Sequence, residues 1–152
     1  KQINLSQKIS HFGFSLLVLS IVLNGIFSSE IITNIKVGEK YKFKNGSIYF
    51  EKINNSKKKN YLSIVGTFKI QEDNNKAVFL KPELRIFNQP AIVTSEADIK
   101  ISLYSDKFLV MNLVKGDDYY NIRYQKKPLM IWIWLSTILL VSGGLINFFN
   151  RK

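Results

Sequence analysis

Two long apolar segments limit what this chain can fold into more than any other feature of its sequence. Residues 9–27 and residues 129–149 form runs of 19 and 21 residues without a formal charge. A helix of either length reaches about 28–32 Å, which is close to the ~30 Å hydrocarbon core of a bilayer. We therefore expect two membrane-spanning helices that flank a polar centre, residues 28–127.

The start of the chain bears on whether the first span is retained. The first residue is Lys1 rather than Met, which predicts a processed or truncated chain, or one piece of a longer polypeptide. Lys1 and Lys8 resemble the charged start of a signal peptide. No A-x-A-like cleavage site follows, because residues 24–27 read NGIF. We therefore expect a retained span.

Charges beside the spans predict the orientation of the chain. Two spans place both ends on one side, and Lys8 before the first span with Glu30 after it favours cytoplasmic ends. Lys126 and Lys127 oppose this locally, but a loop of this length can be translocated despite its charge. We expect a cytoplasmic N-terminal segment (1–8), a transmembrane helix (9–27), an extracytoplasmic, periplasmic domain (28–127), a second transmembrane helix (128–149) and a cytoplasmic tail (150–152).

Small and polar residues recur at helical spacing within both spans. In the first span, the stripe consists of Gly13, Leu17, Ser20 and Asn24, whereas His11, Ser15 and Val18 lie on the opposite face. In the second span, the stripe consists of Trp132, Ser136, Leu140, Gly143 and Asn147. Small residues let helices approach closely. The pattern favours helices that belong to a larger bundle over two plain lipid anchors.

The polar centre has the pattern of a β domain. Short runs rich in Ile, Val, Tyr and Phe alternate with turn signals. The predicted strands are 35–43, 47–53, 61–71, 76–80, 99–104, 108–114 and 119–124. Residues 72–75 and 115–118 are predicted turns, and 54–60 (NNSKKKN) a predicted exposed loop. This pattern predicts a small antiparallel β barrel or sandwich, so the fold class is a mixed α and β membrane protein.

Composition excludes several functions. The net charge of +11 comes without a basic helix or an RNA-binding aromatic motif, so we expect no nucleic-acid partner. A solvated lysine-rich surface near anionic lipid explains the charge better. A polyanion-binding function remains as a third alternative. Because the chain has no cysteine, it forms no disulfide and no thiolate metal site.

Residues suited to catalysis are few. The sequence contains no nucleophile elbow, no P-loop and no His-carboxylate cluster with metal spacing. Glu83, Glu96 and Asp98 lie in the β region, where a role as general acid or base is the weaker interpretation. A buried ion pair between Glu83 and Arg85 that supports the β domain is the simpler one. The catalytic residues are therefore unknown.

His11 is the only histidine of the chain, and it lies at the start of the first span. An ionisable group at membrane depth is costly and is by default a functional-site hypothesis. Imidazole is a common ligand of haem iron, but a second axial imidazole is not available here. The alternatives are a hydrogen bond to a neighbouring helix and a position at the lipid headgroups.

Four ordered motifs resemble the C-terminal part of the CcmF family, the cytochrome c haem lyase component of cytochrome c maturation. Residues 11–13 (HFG) resemble its A-H-x-G, and residues 82–88 (PELRIFN) its E-K-R-x-Y-N. Residues 94–99 (TSEADI) resemble its T-E-A-A-I. Residues 123–145, with KP, WIW and GGL, resemble its R-x-Y-x-K-P-F-x-R-W-I-W…G-G-L ending. The resemblance covers about residues 7 to 149. Ser10, Ile131 and the added residue in 94–96 depart from the family pattern.

The resemblance implies a function and a site. His11 matches the family's axial ligand to a membrane-embedded haem b, whose second axial ligand comes from an earlier span outside this chain. The implied function is to help take haem from a haem chaperone and attach it to the C-x-x-C-H of apocytochrome c. The implied partners are the remaining CcmF segment or subunit, the haem chaperone, apocytochrome c with its delivery proteins, and membrane lipid.

It also implies that the chain is a component of a haem lyase and is not active alone. The implied location is the bacterial inner (cytoplasmic) membrane, with the mitochondrial inner membrane as the other membrane in which the family acts. A non-enzymatic two-span membrane scaffold, whose β domain binds a partner protein, remains the alternative function.

Overall fold

In the described part of the chain, one helix precedes ten strands and a second helix follows them. The computed structural model describes residues 4–72, 76–114, 116 and 118–149. The helices are α1 (Leu5–Phe27) and α2 (Met130–Phe149). The strands are β1 (Ser29–Ile35), β2 (Lys40–Phe43), β3 (Gly46–Lys57), β4 (Tyr61–Glu72), β5 (Val78–Leu80), β6 (Glu83–Asn88), β7 (Ala91–Glu96), β8 (Asp98–Lys100), β9 (Ser105–Leu113) and β10 (Tyr120–Pro128). The predicted arrangement, two apolar helices flanking a β domain, is confirmed.

The chain divides into two compact units. The helical unit contains the residues up to 29, residues 101–106 and the residues from 126 onward. The β unit contains residues 30–100 and 107–125. Of the described helices, α1 and α2 are both long and apolar enough to cross a membrane by length and composition.

The β unit is a sandwich of two sheets. One sheet has the strand order β1-β10-β9-β8, and the other has the order β2-β3-β4-β6-β7, with β5 paired to β4. The pairings β2–β3, β3–β4, β4–β5, β4–β6, β6–β7 and β8–β9 are antiparallel. This architecture confirms the predicted antiparallel β fold.

Alternating apolar residues from both sheets form one core. Its buried members are Ile35, Ile48, Phe50, Ile64, Phe68, Ile70, Leu80, Leu84, Leu109, Met111, Ile122 and Tyr124. The rings of Phe50 and Phe68 stack at 4.1 Å, and Tyr120 meets the ring of Phe50 edge-on at 5.5 Å. Burying such side chains is the main favourable contribution to folding.

Several strand predictions were wrong in detail. The predicted strand 35–43 is interrupted, because Gly38 adopts a φ of 86° and the Glu39 N–H bonds to the carbonyl of Lys36. The predicted loop 54–60 begins as strand, since β3 continues to Lys57 in register with β4. The predicted strand 99–104 ends at Lys100. Strands β1, β6 and β7 were missed, although residues 84 and 86 alternate correctly for a strand.

The two predicted turns lie partly outside the described residues. Of residues 72–75, only Glu72 is described, and it is the last residue of β4. Of residues 115–118, only Gly116 and Asp118 are described, and Gly116 has a φ of 86°.

Candidate functional site

Helix α1 packs against α2 through its smallest residues. Gly13 faces α2 so closely that a Cβ atom there would lie 3.1 Å from the Ser136 carbonyl oxygen and 3.0 Å from the Leu140 nitrogen. At Gly143, a Cβ atom would lie 2.9 Å from the Ser6 carbonyl oxygen and would overlap the Ser10 hydroxyl. The small-residue stripes therefore pack against each other. Consequently, the stripes by themselves do not require additional helices.

A polar contact joins the end of α1 to the start of α2. Asn24 donates from Nδ2 to the carbonyl oxygen of Pro128. The Ser28 hydroxyl donates to the Asn24 carbonyl oxygen at 2.6 Å. These bonds place the C-terminal end of α1 next to the residue pair that precedes α2. The two helices thus form an antiparallel pair with a fixed end.

His11 lies in the second turn of α1, on the face turned away from α2. Its side chain is exposed, and so are Phe14, Ser15 and Val18 on the same face. The Ser15 hydroxyl donates to the backbone carbonyl of His11 at 2.9 Å, which satisfies Ser15 within the helix. Within residues 4–72, 76–114, 116 and 118–149, no side chain or backbone group is hydrogen-bonded to the imidazole.

This arrangement leaves the imidazole of His11 available as a ligand. A neutral imidazole nitrogen binds haem iron well, and an apolar surrounding suits the macrocycle. In the part of the chain that the structure describes, no group of three His, Cys, Asp or Glu residues has the geometry to hold a metal ion. His11 is therefore a candidate ligand, and the chain has no second histidine to pair with it.

The carboxylates considered as acids or bases are engaged in the β unit. Arg85 forms two hydrogen bonds to Glu83 Oε2, from Nη2 at 2.9 Å and from Nε at 3.0 Å. Ser63 donates to Glu83 Oε1 at 2.5 Å, and Arg85 Nη1 lies 3.4 Å from Glu96 Oε1. The backbone N–H of Lys81 donates to Asp98 Oδ2.

Electrostatics agree with a structural role for this cluster. The hydrogen bond from Arg85 and then the one from Ser63 lower the pKa of Glu83 below its usual range. The hydrogen bond to Glu83 raises the pKa of Arg85. Glu83 is therefore ionised at neutral pH with its oxygens occupied, a poor state for a general acid. The predicted ion pair between Glu83 and Arg85 is present, but it is not buried, because the two side chains are 20% and 35% exposed.

A second polar cluster was not found from the sequence. Lys107 Nζ lies 3.1 Å from Glu72 Oε2, and the Tyr124 hydroxyl donates to Glu72 Oε1 at 3.0 Å. The Lys107 and Glu72 side chains are only 11% and 7% exposed. Burial and the charge of Glu72 raise the pKa of Tyr124. No spacing signal links these three residues, because each comes from a different strand.

Fold and site together define a β-sandwich carried between two apolar helices, one of which presents a lone imidazole. Residues 26–128 match the family model described as the CcmF C-terminal beta-sandwich. This chain belongs to that family.

Individual relatives extend the match over nearly the whole chain. The cytochrome c-type biogenesis protein CcmF of Pseudomonas fluorescens is 26% identical over 145 residues, which cover 95% of this chain and 22% of the relative. The cytochrome c-type biogenesis protein NrfE of Haemophilus influenzae is 24% identical over 155 residues, covering 100% of this chain and 24% of the relative.

A solved structure shows the same fold. The structure of cytochrome c heme lyase CcmF superposes with a TM-score of 0.68 at 18% identity, and the match covers 92% of this chain and 23% of that protein. This chain thus spans about a quarter of the length of the proteins that it matches.

Proposed function

We propose that this chain is the C-terminal section of a CcmF-type haem lyase and acts in cytochrome c maturation. Membership of the CcmF C-terminal beta-sandwich family supports the proposal, as do relatives named as cytochrome c-type biogenesis proteins. The observation that carries it is the exposed imidazole of His11, which has no hydrogen-bond partner among the described residues. In this function the chain acts only together with the remaining part of the lyase.

His11 is proposed as an axial ligand of haem b. When bound, the haem supplies one-electron redox chemistry. The chain's own contribution is to hold the imidazole at a fixed height on α1, because the close packing at Gly13 orients the opposite face of this helix. Phe12 and Phe14 flank His11 on α1 and would offer apolar surface to the macrocycle. The second axial ligand lies outside this chain.

The proposal includes a location and an orientation. Helices α1 and α2 cross the bacterial inner membrane, or the mitochondrial inner membrane, and the β unit lies on the periplasmic side. In this arrangement the β unit is on the side where haem is joined to the C-x-x-C-H of apocytochrome c. A haem chaperone, apocytochrome c and its delivery proteins are the proposed partners.

The ligand assignment is tested by substituting His11. The chain is co-expressed with the remaining portion of a CcmF-type lyase, and the visible spectrum of the purified complex is recorded. We expect His11→Ala to abolish the low-spin bis-imidazole spectrum and His11→Gly to recover it when free imidazole is added. Ser15→Ala, one turn further on the same face, is the matched control and should keep the spectrum.

An unchanged spectrum in His11→Ala would refute the ligand assignment. A complex that never contains haem, in the unsubstituted chain as well, would instead favour the alternative, a non-enzymatic two-span scaffold. The self-contained core of the β unit is the observation in favour of that alternative.

A further inference from the structure

The segment that connects β8 to β9 exposes large apolar side chains and is followed by a buried carboxylate, which is the reverse of an ordinary surface loop. Residues 101–106 (ISLYSD), called here the 101–106 loop, consist of the connection 101–104 and the first two residues of β9, and they belong to the helical unit. The apolar side chains of Ile101, Leu103 and Tyr104 are 65%, 58% and 81% exposed. By contrast, Asp106 is only 6% exposed. Three large exposed side chains on so short a loop are a concentration of apolar surface that needs an explanation.

Several polar groups of the loop form hydrogen bonds with one another. Asp106 Oδ1 accepts the backbone N–H of Ser102 at 3.0 Å. The Ser102 hydroxyl donates to the Ser105 carbonyl oxygen at 2.7 Å and accepts the Ser105 N–H at 3.1 Å. Unsatisfied backbone groups are what normally keeps a loop in water, because their burial costs several kcal/mol each. In this loop, the backbone N–H groups of Ser102 and Ser105 and the carbonyl of Ser105 already have hydrogen-bond partners within the loop.

The loop is held at the first turn of α2. Trp132 donates from its indole Nε1 to the carbonyl oxygen of Leu103 at 2.9 Å. The backbone N–H of Leu129, whose φ is 58°, donates to the carbonyl oxygen of Tyr104 at 3.0 Å. The exposed side chains of the loop therefore lie at the same level as the start of α2.

The chemistry of this level is that of a membrane interface. Trp132 and the 67% exposed Trp134 lie in the first turns of α2, and Tyr104 lies on the loop beside them. Tryptophan and tyrosine are enriched where hydrocarbon meets headgroups, because the ring is apolar and its N–H or O–H is polar. The tip of the loop, residues 101–104, carries no charge.

We propose that the 101–106 loop inserts into the headgroup–acyl boundary of the bilayer and anchors the start of α2 there. The inference rests on the proposed membrane crossing of α2. If α2 crosses, its first turn lies at the boundary, and the hydrogen bonds from Trp132 and Leu129 hold the loop at that depth. Lipid is the occupant, and a covering protein surface is an outcome that the test detects.

The absence of cysteine makes the test direct, because each introduced cysteine carries the only spin label. The full chain is reconstituted in vesicles of phosphatidylethanolamine with phosphatidylglycerol and labelled at Leu103→Cys or Tyr104→Cys. Ile138→Cys, exposed in the middle of α2, is the hydrocarbon control, and Val37→Cys, exposed in the turn after β1, is the water control. Power saturation with oxygen and with a water-soluble nickel chelate then gives the depth of each label.

We expect labels at 103 and 104 to lie roughly 5–10 Å below the headgroups, the depth at which interfacial segments bury their apolar residues. Nickel access equal to that at Val37→Cys would overturn the inference while α2 still reads as membrane-spanning at Ile138→Cys. Low access to both reagents at 103 and 104 would also overturn it, in favour of a protein surface. Free nickel access at Ile138→Cys would refute the membrane crossing itself.

Discussion

At the scale of single residues, the charged clusters of the β unit contrast with His11, which has no hydrogen-bond partner among the described residues. Arg85 pairs with Glu83 on its own strand and with Glu96 on the neighbouring strand β7, and Lys107 pairs with Glu72 in a buried position. His11 has an exposed imidazole and lies within an uncharged run of the sequence. The sequence singles out His11 as a candidate, since a histidine within an apolar run is conspicuous. The Glu72–Lys107–Tyr124 cluster was not predictable from the sequence, because only the strand register brings these residues together.

The ion pair of Glu83 gives a pH-dependent prediction. The pKa of Glu83 is lower in the folded state than in the unfolded state. The ionised Glu83 side chain therefore stabilises the fold at pH values above its unfolded-state pKa of about 4.3. This contribution is lost as the pH falls through the folded-state pKa of Glu83. We expect Glu83→Gln to lower the urea midpoint slightly at neutral pH, and the difference from the unsubstituted chain to disappear in acid. Ser63→Ala, which removes one of the hydrogen bonds, should act in the same direction but less. A difference that is constant with pH would contradict the electrostatic explanation.

At the scale of elements, the sequence predicted the helices more accurately than the strands. An uncharged run of about 20 residues has few alternatives to a helix, and α1 begins only four residues before the predicted span. Strands β6 and β7 were missed because Pro82, Arg85 and Pro90 interrupt the apolar pattern. They form because the ladder Leu62–Ile86–Val93 continues the sheet from β4, a long-range pairing that no local propensity reports.

Packing of the helix pair is tested by two adjacent glycines of α2. At Gly143 a Cβ atom would lie against the backbone of Ser6 and Ser10, whereas at Gly144 it would meet nothing within 4 Å. We expect Gly143→Ala to reduce the stability of the helix pair by about 1–3 kcal/mol through overpacking. Gly144→Ala should leave it unchanged or raise it by up to about 1 kcal/mol, because alanine favours helix. Thermal unfolding in detergent, followed by circular dichroism, measures both variants. Equal effects of the two substitutions would mean that the close approach of α1 and α2 is not maintained.

At the scale of the whole molecule, the hydrophobic pattern predicted the architecture, and family membership agrees with it. Uniformly apolar runs formed α1 and α2, and alternating runs formed the sandwich. What the pattern did not predict is the 101–106 loop. Its apolar residues were predicted as the end of a strand, whereas its hydrogen bonds with Leu129 and Trp132 connect it to the start of α2 within the helical unit.

The division into two units predicts that the β unit folds without the helices. Every residue of its buried core lies between Ile35 and Tyr124, so a chain limited to residues 28–127 retains the whole core. We expect this fragment to show β-sheet circular dichroism and one cooperative urea transition, since a sandwich with its core intact is a cooperative unit. Its solubility should be limited by the apolar 101–106 loop. Leu103→Ser together with Tyr104→Ser should raise solubility and leave the urea midpoint unchanged, because both side chains are exposed. A fragment that unfolds without a cooperative transition would show instead that the sandwich depends on α1 and α2 for its fold.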